Sequence, residues 1–250
     1  MSAVTRLACL TLFAACGLAS AQAADLLPPP PVLDREEVVE VGTGWYLRGD
    51  VGYVDYNTPR DIAFHIPTVQ PLNGERLDKT FSVGGGIGYQ LTNWLRADAT
   101  IDHRFGAELS GTRPFPTYDL GYVRDHADVE STSYLLNAYV DLGYWSGVTP
   151  YLGAGIGLAS NRFTNIRREF YALGQLAGTG FPTPHTTNNL AWALMAGVAV
   201  DVGSGFKLDL GYRYTHLGDA RTRIDGPGAG IRTDDLKTHE IRLGARYTID

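Results

Sequence analysis

Cysteine is nearly absent from the 250-residue chain: there are two, Cys9 and Cys16. Methionine is equally scarce, at two. Long apolar runs are missing as well. The longest, Leu7–Ala19 and Leu190–Val200, fall short of the roughly 18–20 residues a transmembrane helix needs, so helical membrane spans are excluded. A β-strand crosses a bilayer in about 9–11 residues, so this shortage leaves barrels open. Basic charge is also in deficit, with 21 Lys and Arg against 27 Asp and Glu, a net charge of −6. Nucleic-acid binding needs a basic footprint, and no such partner is expected. What the chain has in quantity is glycine, 30 residues, and tyrosine, 14. Together with the low methionine, they argue against a helical bundle.

Residues 1–23 read as a secretory signal. Arg6 supplies the positive start, Leu7–Ala19 the apolar stretch and Ala21-Gln22-Ala23 the small residues of a cleavage site. A competing reading makes Cys16 a lipidated residue after Phe13-Ala14-Ala15, where phenylalanine fits the first position poorly. Cleavage after Ala23 removes both cysteines, which excludes a disulfide framework and thiolate chemistry from the mature chain. It also removes Arg6, leaving 20 basic against 27 acidic residues, a net −7. Residues 24–43 hold Pro28–Pro31 and an acidic stretch, Asp34–Glu40. They read as a stiff tether, a spacer rather than a docking motif.

From Gly44 onward apolar and polar residues alternate with period two, the mark of strands with two unlike faces. Eight stretches show it: Trp45–Tyr53, Thr80–Leu91, Leu95–Arg104, Tyr134–Trp145, Pro150–Ala159, Leu190–Asp201, Phe206–Thr215 and Glu240–Ile249. The apolar face carries no charge in any of them. The polar face carries seven bases (Arg48, Arg96, Arg104, Lys207, Arg213, Arg242, Arg246) and seven acids (Asp50, Asp98, Asp102, Asp141, Asp201, Asp209, Glu240). Water would not require such parity. A narrow closed interior does, because buried charges must be paired. Most glycines share the charged face, and Trp45, Tyr53, Tyr89, Trp94, Tyr144, Phe206, Tyr214 and Tyr247 sit near strand ends, where interfacial girdles form. Short links alternate with long ones around Asn57–Lys79, Phe105–Ser133, Ser160–Asn189 and His216–His239. The expectation is an all-β fold, an eight-stranded antiparallel transmembrane β-barrel with up-and-down connectivity, spanning 44–250. A secreted lipocalin-like barrel also alternates, but it would turn the apolar face inward.

The motifs Gly44-Trp45-Tyr46-Leu47-Arg48-Gly49, Thr149-Pro150-Tyr151-Leu152-Gly153-Ala154-Gly155-Ile156-Gly157 and Leu210-Gly211-Tyr212-Arg213-Tyr214 are similar to those of small outer-membrane barrels of Gram-negative bacteria. So is the closing His239-Glu240-Ile241-Arg242-Leu243-Gly244-Ala245-Arg246-Tyr247. Over 44–250 the chain resembles the OmpA-like eight-stranded barrels, in particular the porin-family surface antigens. The resemblance implies insertion in outer-membrane lipid, periplasmic termini and tether, and delivery by the barrel-assembly machinery. Gly244, Tyr247 and Ile249 look like its assembly signal, although this chain ends on Asp250 rather than an aromatic residue.

Chemistry is sparse by comparison. No two of His65, His103, His126, His185, His216 and His239 share a metal-ligand spacing. Related barrels include haem binders, so His65, His126 or His185 with Tyr118 or Tyr171 could form a loop haem site; solvated loop histidines are the simpler reading. Asp102-His103 is adjacent in sequence but points to opposite faces of a strand, which argues against an enzyme. Gly84-Gly85-Gly86 and Gly153–Gly157 lie inside strands with no Gly-Lys-Ser/Thr after them, so they are packing glycines rather than phosphate loops. The expected function is structural or surface-interacting: envelope integrity, adhesion, or ligand or host contact through the loops. The expected lumen is plugged by charged pairs, with no cofactor, metal or catalytic residue. The alternatives are a small porin with narrow conductance and a haem-binding surface protein.

Overall fold

The computed structural model describes the backbone of residues 44–57, 62–64, 73–114, 121–221 and 231–249. The signal, the tether, His65 and Tyr118 lie outside the described residues. Eleven strands follow in order: β1 Gly44–Tyr56, β2 Ile62–Phe64, β3 Asn73–Leu77, β4 Thr80–Gln90, β5 Leu95–Pro114, β6 Tyr122–Asp141, β7 Val148–Ala172, β8 Gln175–Gly180, β9 Thr186–Gly203, β10 Phe206–Arg221 and β11 Ile231–Ile249. Eight of them form an antiparallel ring, β1-β4-β5-β6-β7-β9-β10-β11. The ring closes where β1 pairs with β11, from Trp45↔Ile249 to Tyr56↔Thr238. Short β2, β3 and β8 add to β11, β5 and β7 outside the ring.

The apolar face points outward. Leu47, Val83, Ile101, Leu136, Ile156, Leu194, Leu210 and Leu243 are all exposed, while Tyr46, Asp98, Arg104, Asn137 and Arg213 on the opposite face are buried. This orientation overturns the lipocalin alternative. On β5 the outward positions from Leu95 to Phe105 are apolar except His103. At about 3.3 Å per residue that is about 33 Å of strand, or about 25 Å of height at a tilt near 40°. This is the height of the apolar band of an outer-membrane barrel.

Strands β5, β6, β7, β9 and β10 run well past that band, which corrects the expected boundaries. Much of Phe105–Ser133 and Ser160–Asn189 is paired strand, with β5 and β6 in register from Leu95↔Val140 to Pro114↔Tyr122. At the other end β6 stops at Asp141, so Leu142–Trp145 belongs to the turn. Above the band the polarity inverts. Val54, Ala107, Leu109, Val129, Phe163, Leu217 and Leu236 are buried in one apolar cluster. The outward neighbours there are polar, among them Glu108, Arg124, Asp128 and Arg162.

β6 inverts in a single phase, its inward positions passing from Asn137 and Ser133 to Val129 and Ala127, while three other strands carry bulges at this level. In β5, Phe105 and Gly106 face one residue of β6, so inward positions change from Arg104 to Ala107 and Leu109. In β7, Asn165 at φ 50° does the same between Phe163 and Ile166. In β10, Gly218 at φ 73° breaks the register with β11. An extra residue shifts the phase of a period-two pattern by one and bends the strand. The β10 carbonyls freed at this bulge are capped by the Asn161 and Asn189 amides, which donate to Leu217 O and Asp219 O at 2.6–3.3 Å.

Candidate functional site: the filled lumen and the sheet above it

The lumen is built in layers from inward positions of the ring. Nearest the short turns, the Arg96 guanidinium stacks between the rings of Tyr139 and Tyr151, at 4.1 and 4.7 Å. Its Nε donates to Asp141 Oδ1 at 3.1 Å. Beside it Arg246 forks onto Asp209 with bonds of 2.7 and 3.0 Å. In the middle layer Arg48 donates to Asp50 at 2.8 and 3.0 Å, to Asp98 at 2.8 Å and to the Tyr139 hydroxyl at 2.7 Å. The Asn137 amide holds the other Asp98 oxygen at 2.7 Å. Asp102 accepts from Arg213 at 2.6 Å and from Arg242 at 2.5 Å. Arg242 also stands 3.3 Å from Asp50, joining the two carboxylates. The top layer is Arg104, which donates to Glu240 at 2.6 Å and to Ser133 at 2.9 Å. Above it lies the apolar cluster.

Six arginines and six carboxylates of the fourteen residues named from the sequence therefore meet in ion pairs: Arg48, Arg96, Arg104, Arg213, Arg242 and Arg246 with Asp50, Asp98, Asp102, Asp141, Asp209 and Glu240. Two do not join them. Lys207 lines a 460 Å³ cavity at the turn end, with Gln90, Trp94 and Thr248. Asp201 is a correction: it is exposed and accepts the Gly203 amide at 2.9 Å, so it shapes a tight turn rather than the lumen. Space is short at the same depth. A Cβ on Gly153 would meet the Tyr139 ring, and one on Gly88 the Tyr46 ring.

At the long end, the ring strands carry a sheet of order β3-β5-β6-β7-β8. Its inner face holds Asp125, which accepts from Arg113 at 3.3 Å and Arg168 at 2.5 Å. On the outer face Tyr122 stacks on Tyr171, with ring centres 4.6 Å apart and 7° between planes. Tyr171 donates to Glu169 at 3.0 Å. That bond, helped by the nearby Arg167 charge, holds the Glu169 carboxyl below the usual carboxylate range, and the same bond pushes the Tyr171 phenol up. The expected loop ligands are scattered or engaged. His126 meets Glu108 at 3.0 Å, Tyr171 is stacked as above, and no group of three metal-binding side chains occurs among the described residues. Gly244 faces Asp50 in the lumen, while Tyr247 and Ile249 lie on the lipid-facing side at the turn end.

Sequence reasoning missed the apolar cluster and the Asn161–Asn189 caps. Its signal was present in the stretch read as a loop, where Val123, Ala127 and Val129 alternate with Arg124, His126, Asp128 and Glu130.

A family model described as "Outer membrane protein beta-barrel domain" matches residues 11–248. An uncharacterized Brucella suis protein is 33% identical, covering 93% of this chain and 95% of its own length. A Rickettsia typhi protein named "Putative adhesin" is 27% identical, covering 82% and 88%. Among solved structures, the Neisserial surface protein A aligns with TM-score 0.49 and 18% identity over 84% of this chain and 100% of that one. With a closed eight-stranded ring, an outward apolar band and that match over nearly its whole length, the chain belongs to the outer membrane protein beta-barrel domain family and is a protein of the outer membrane.

Proposed function

We propose that this chain is a closed, non-catalytic barrel whose role is surface interaction, presented by the extracellular sheet β3-β5-β6-β7-β8. The carrying observation is that the interior is occupied by paired side chains and then by an apolar cluster, while the long end offers an exposed sheet. Eight strands enclose a width that side chains fill. Here the 460 Å³ cavity at the periplasmic end stops at the Arg96 and Arg246 layer. The adhesin name of the Rickettsia relative supports the same reading.

The test is adhesion of intact cells that carry the full chain. Replacing residues 166–184 with a short turn should abolish binding to a host-cell or matrix surface while the barrel still shows its gel-mobility shift on boiling. Unchanged adhesion would overturn the reading. Planar-bilayer recording checks the closed lumen: the purified protein should show no stable conductance steps, and large regular steps would favour the small-porin alternative.

The lipid-facing wall makes a separate prediction. Leu136 is 69% exposed at the middle of the β6 apolar run. Leu136→Arg should destabilise the barrel by about 2–4 kcal/mol, the cost of a cation near the bilayer midplane. Urea unfolding in lipid vesicles measures it.

A further inference from the structure

The hairpin β7–β8 ends the extracellular sheet with an open edge. β8 pairs with β7 from Arg168↔Gly180 to Ala172↔Gln175. Among the described residues nothing pairs with its other side. The two residues of the connection, Leu173 and Gly174, have φ of 49° and 76°, the left-handed pair that a tight type I′ turn requires. An open edge is a row of free backbone donors and acceptors, and proteins usually guard it with lysine, proline or a covering segment. The strand Gln175-Leu176-Ala177-Gly178-Thr179-Gly180 contains neither charge nor proline.

Side chains around this edge are arranged to receive a strand. On the outer face Tyr122, Tyr171 and Leu176 lie in one cross-strand row, through the pairs Tyr122↔Tyr171 and Tyr171↔Leu176. The row reaches the edge at Leu176, which is 53% exposed. On the inner face the edge positions are Gly178 and Gly180, and a Cβ on Gly178 would meet nothing within 4 Å. A groove of 540 Å³ opens at the foot of the hairpin between Ile166, Arg167, Phe181 and Pro184. Among the described residues Arg167 is the only charged side chain lining it, and it remains half-exposed while paired with Glu169.

We propose that β8 binds an extended polypeptide segment of a partner protein by antiparallel strand addition. This rests on the surface-interaction reading above and names the partner's chemistry. Main-chain hydrogen bonds supply affinity, and alternate side chains supply specificity. The partner places an apolar or aromatic residue beside Leu176, continuing the tyrosine row. It sets a side chain of any size over Gly178, and an acidic residue toward Arg167.

The test uses the full mature chain in lipid nanodiscs. The probe is a fluorescent ten-residue peptide alternating threonine with valine and tyrosine and ending in aspartate. A second peptide has the same composition except for two central prolines. The first should bind saturably and slow hydrogen exchange of the β8 amides at least tenfold, and the second should do neither. Leu176→Lys and, independently, Thr179→Lys should each weaken binding at least tenfold, with the gel-mobility shift verifying that each variant is folded. Absence of β8 protection, equal binding of the proline peptide, or full binding by both variants overturns the proposal. Protection that grows with protein concentration without peptide also overturns it, by assigning the edge to a second copy. Adhesion lost on removing 166–184 but retained in both lysine variants leaves the surface reading standing and removes the edge from it.

Discussion

Asp102→Ala is expected to destabilise the barrel by about 3–5 kcal/mol, the scale for removing one partner of a buried ion pair. The carboxylate is 1% exposed and receives Arg213 at 2.6 Å, Arg242 at 2.5 Å and the Thr100 hydroxyl at 3.3 Å. Its loss leaves Arg213 without its hydrogen-bonded carboxylate and Arg242 with Asp50 alone, at 3.3 Å, so the charges of the middle layer are no longer balanced. With a urea slope of about 1–3 kcal/mol per molar, the unfolding midpoint in lipid vesicles should fall by at least about 1 M. The gel-mobility shift reads the folded fraction directly. Asp102→Ala combined with Arg213→Met should recover part of the loss, because it removes an unbalanced charge along with the carboxylate. A single-variant cost below about 1 kcal/mol would mean that the ion pairs are not what holds the lumen.

That network was legible in the sequence because two signals coincide on each strand. Period two separates the faces, and one face carries matched numbers of opposite charges. Where the lumen ends is not encoded by alternation: Asp201 keeps the inward phase of β9, yet it lies at the turn and bonds Gly203. The long end was harder to read for a different reason. The pattern there is still period two, but each bulge shifts its phase, at Phe105-Gly106, at Asn165 and at Gly218. Its polarity also changes, because the outer face leaves lipid and enters water. Val123, Ala127 and Val129 are apolar because they point inward, and Leu136 and Val140 on the same strand because they point outward. A strand bounded by the thickness of a bilayer stops before that change, and the remainder then reads as loop. The free edge at β8 is less visible still, since an unpaired edge is a property of the topology and not of six uncharged residues.

The inverted upper half predicts that Phe163→Ala will cost about 3–5 kcal/mol, as for other buried aromatic side chains cut to alanine. Phe163 is 1% exposed and belongs to the cluster with Val129, Leu217 and Leu236. Leu158, five residues earlier on β7, faces lipid at 59% exposed. Leu158→Ala should cost much less, because lipid tails close over the missing methyls and no cavity forms. The loss at Phe163 should be local before it is global. Amide exchange should accelerate at Val54, Leu217 and Leu236, while the lower strand pairs, such as Leu47↔Tyr247, stay protected, since elements open in cooperative units of unequal stability. If the long end were a set of independent loops, Phe163→Ala would cost under about 1 kcal/mol and exchange there would be fast in the unmodified chain as well. A large cost with local exchange means instead that the sheet presented to the outside rests on a water-type core of its own, stacked on a membrane-type barrel in a single set of strands.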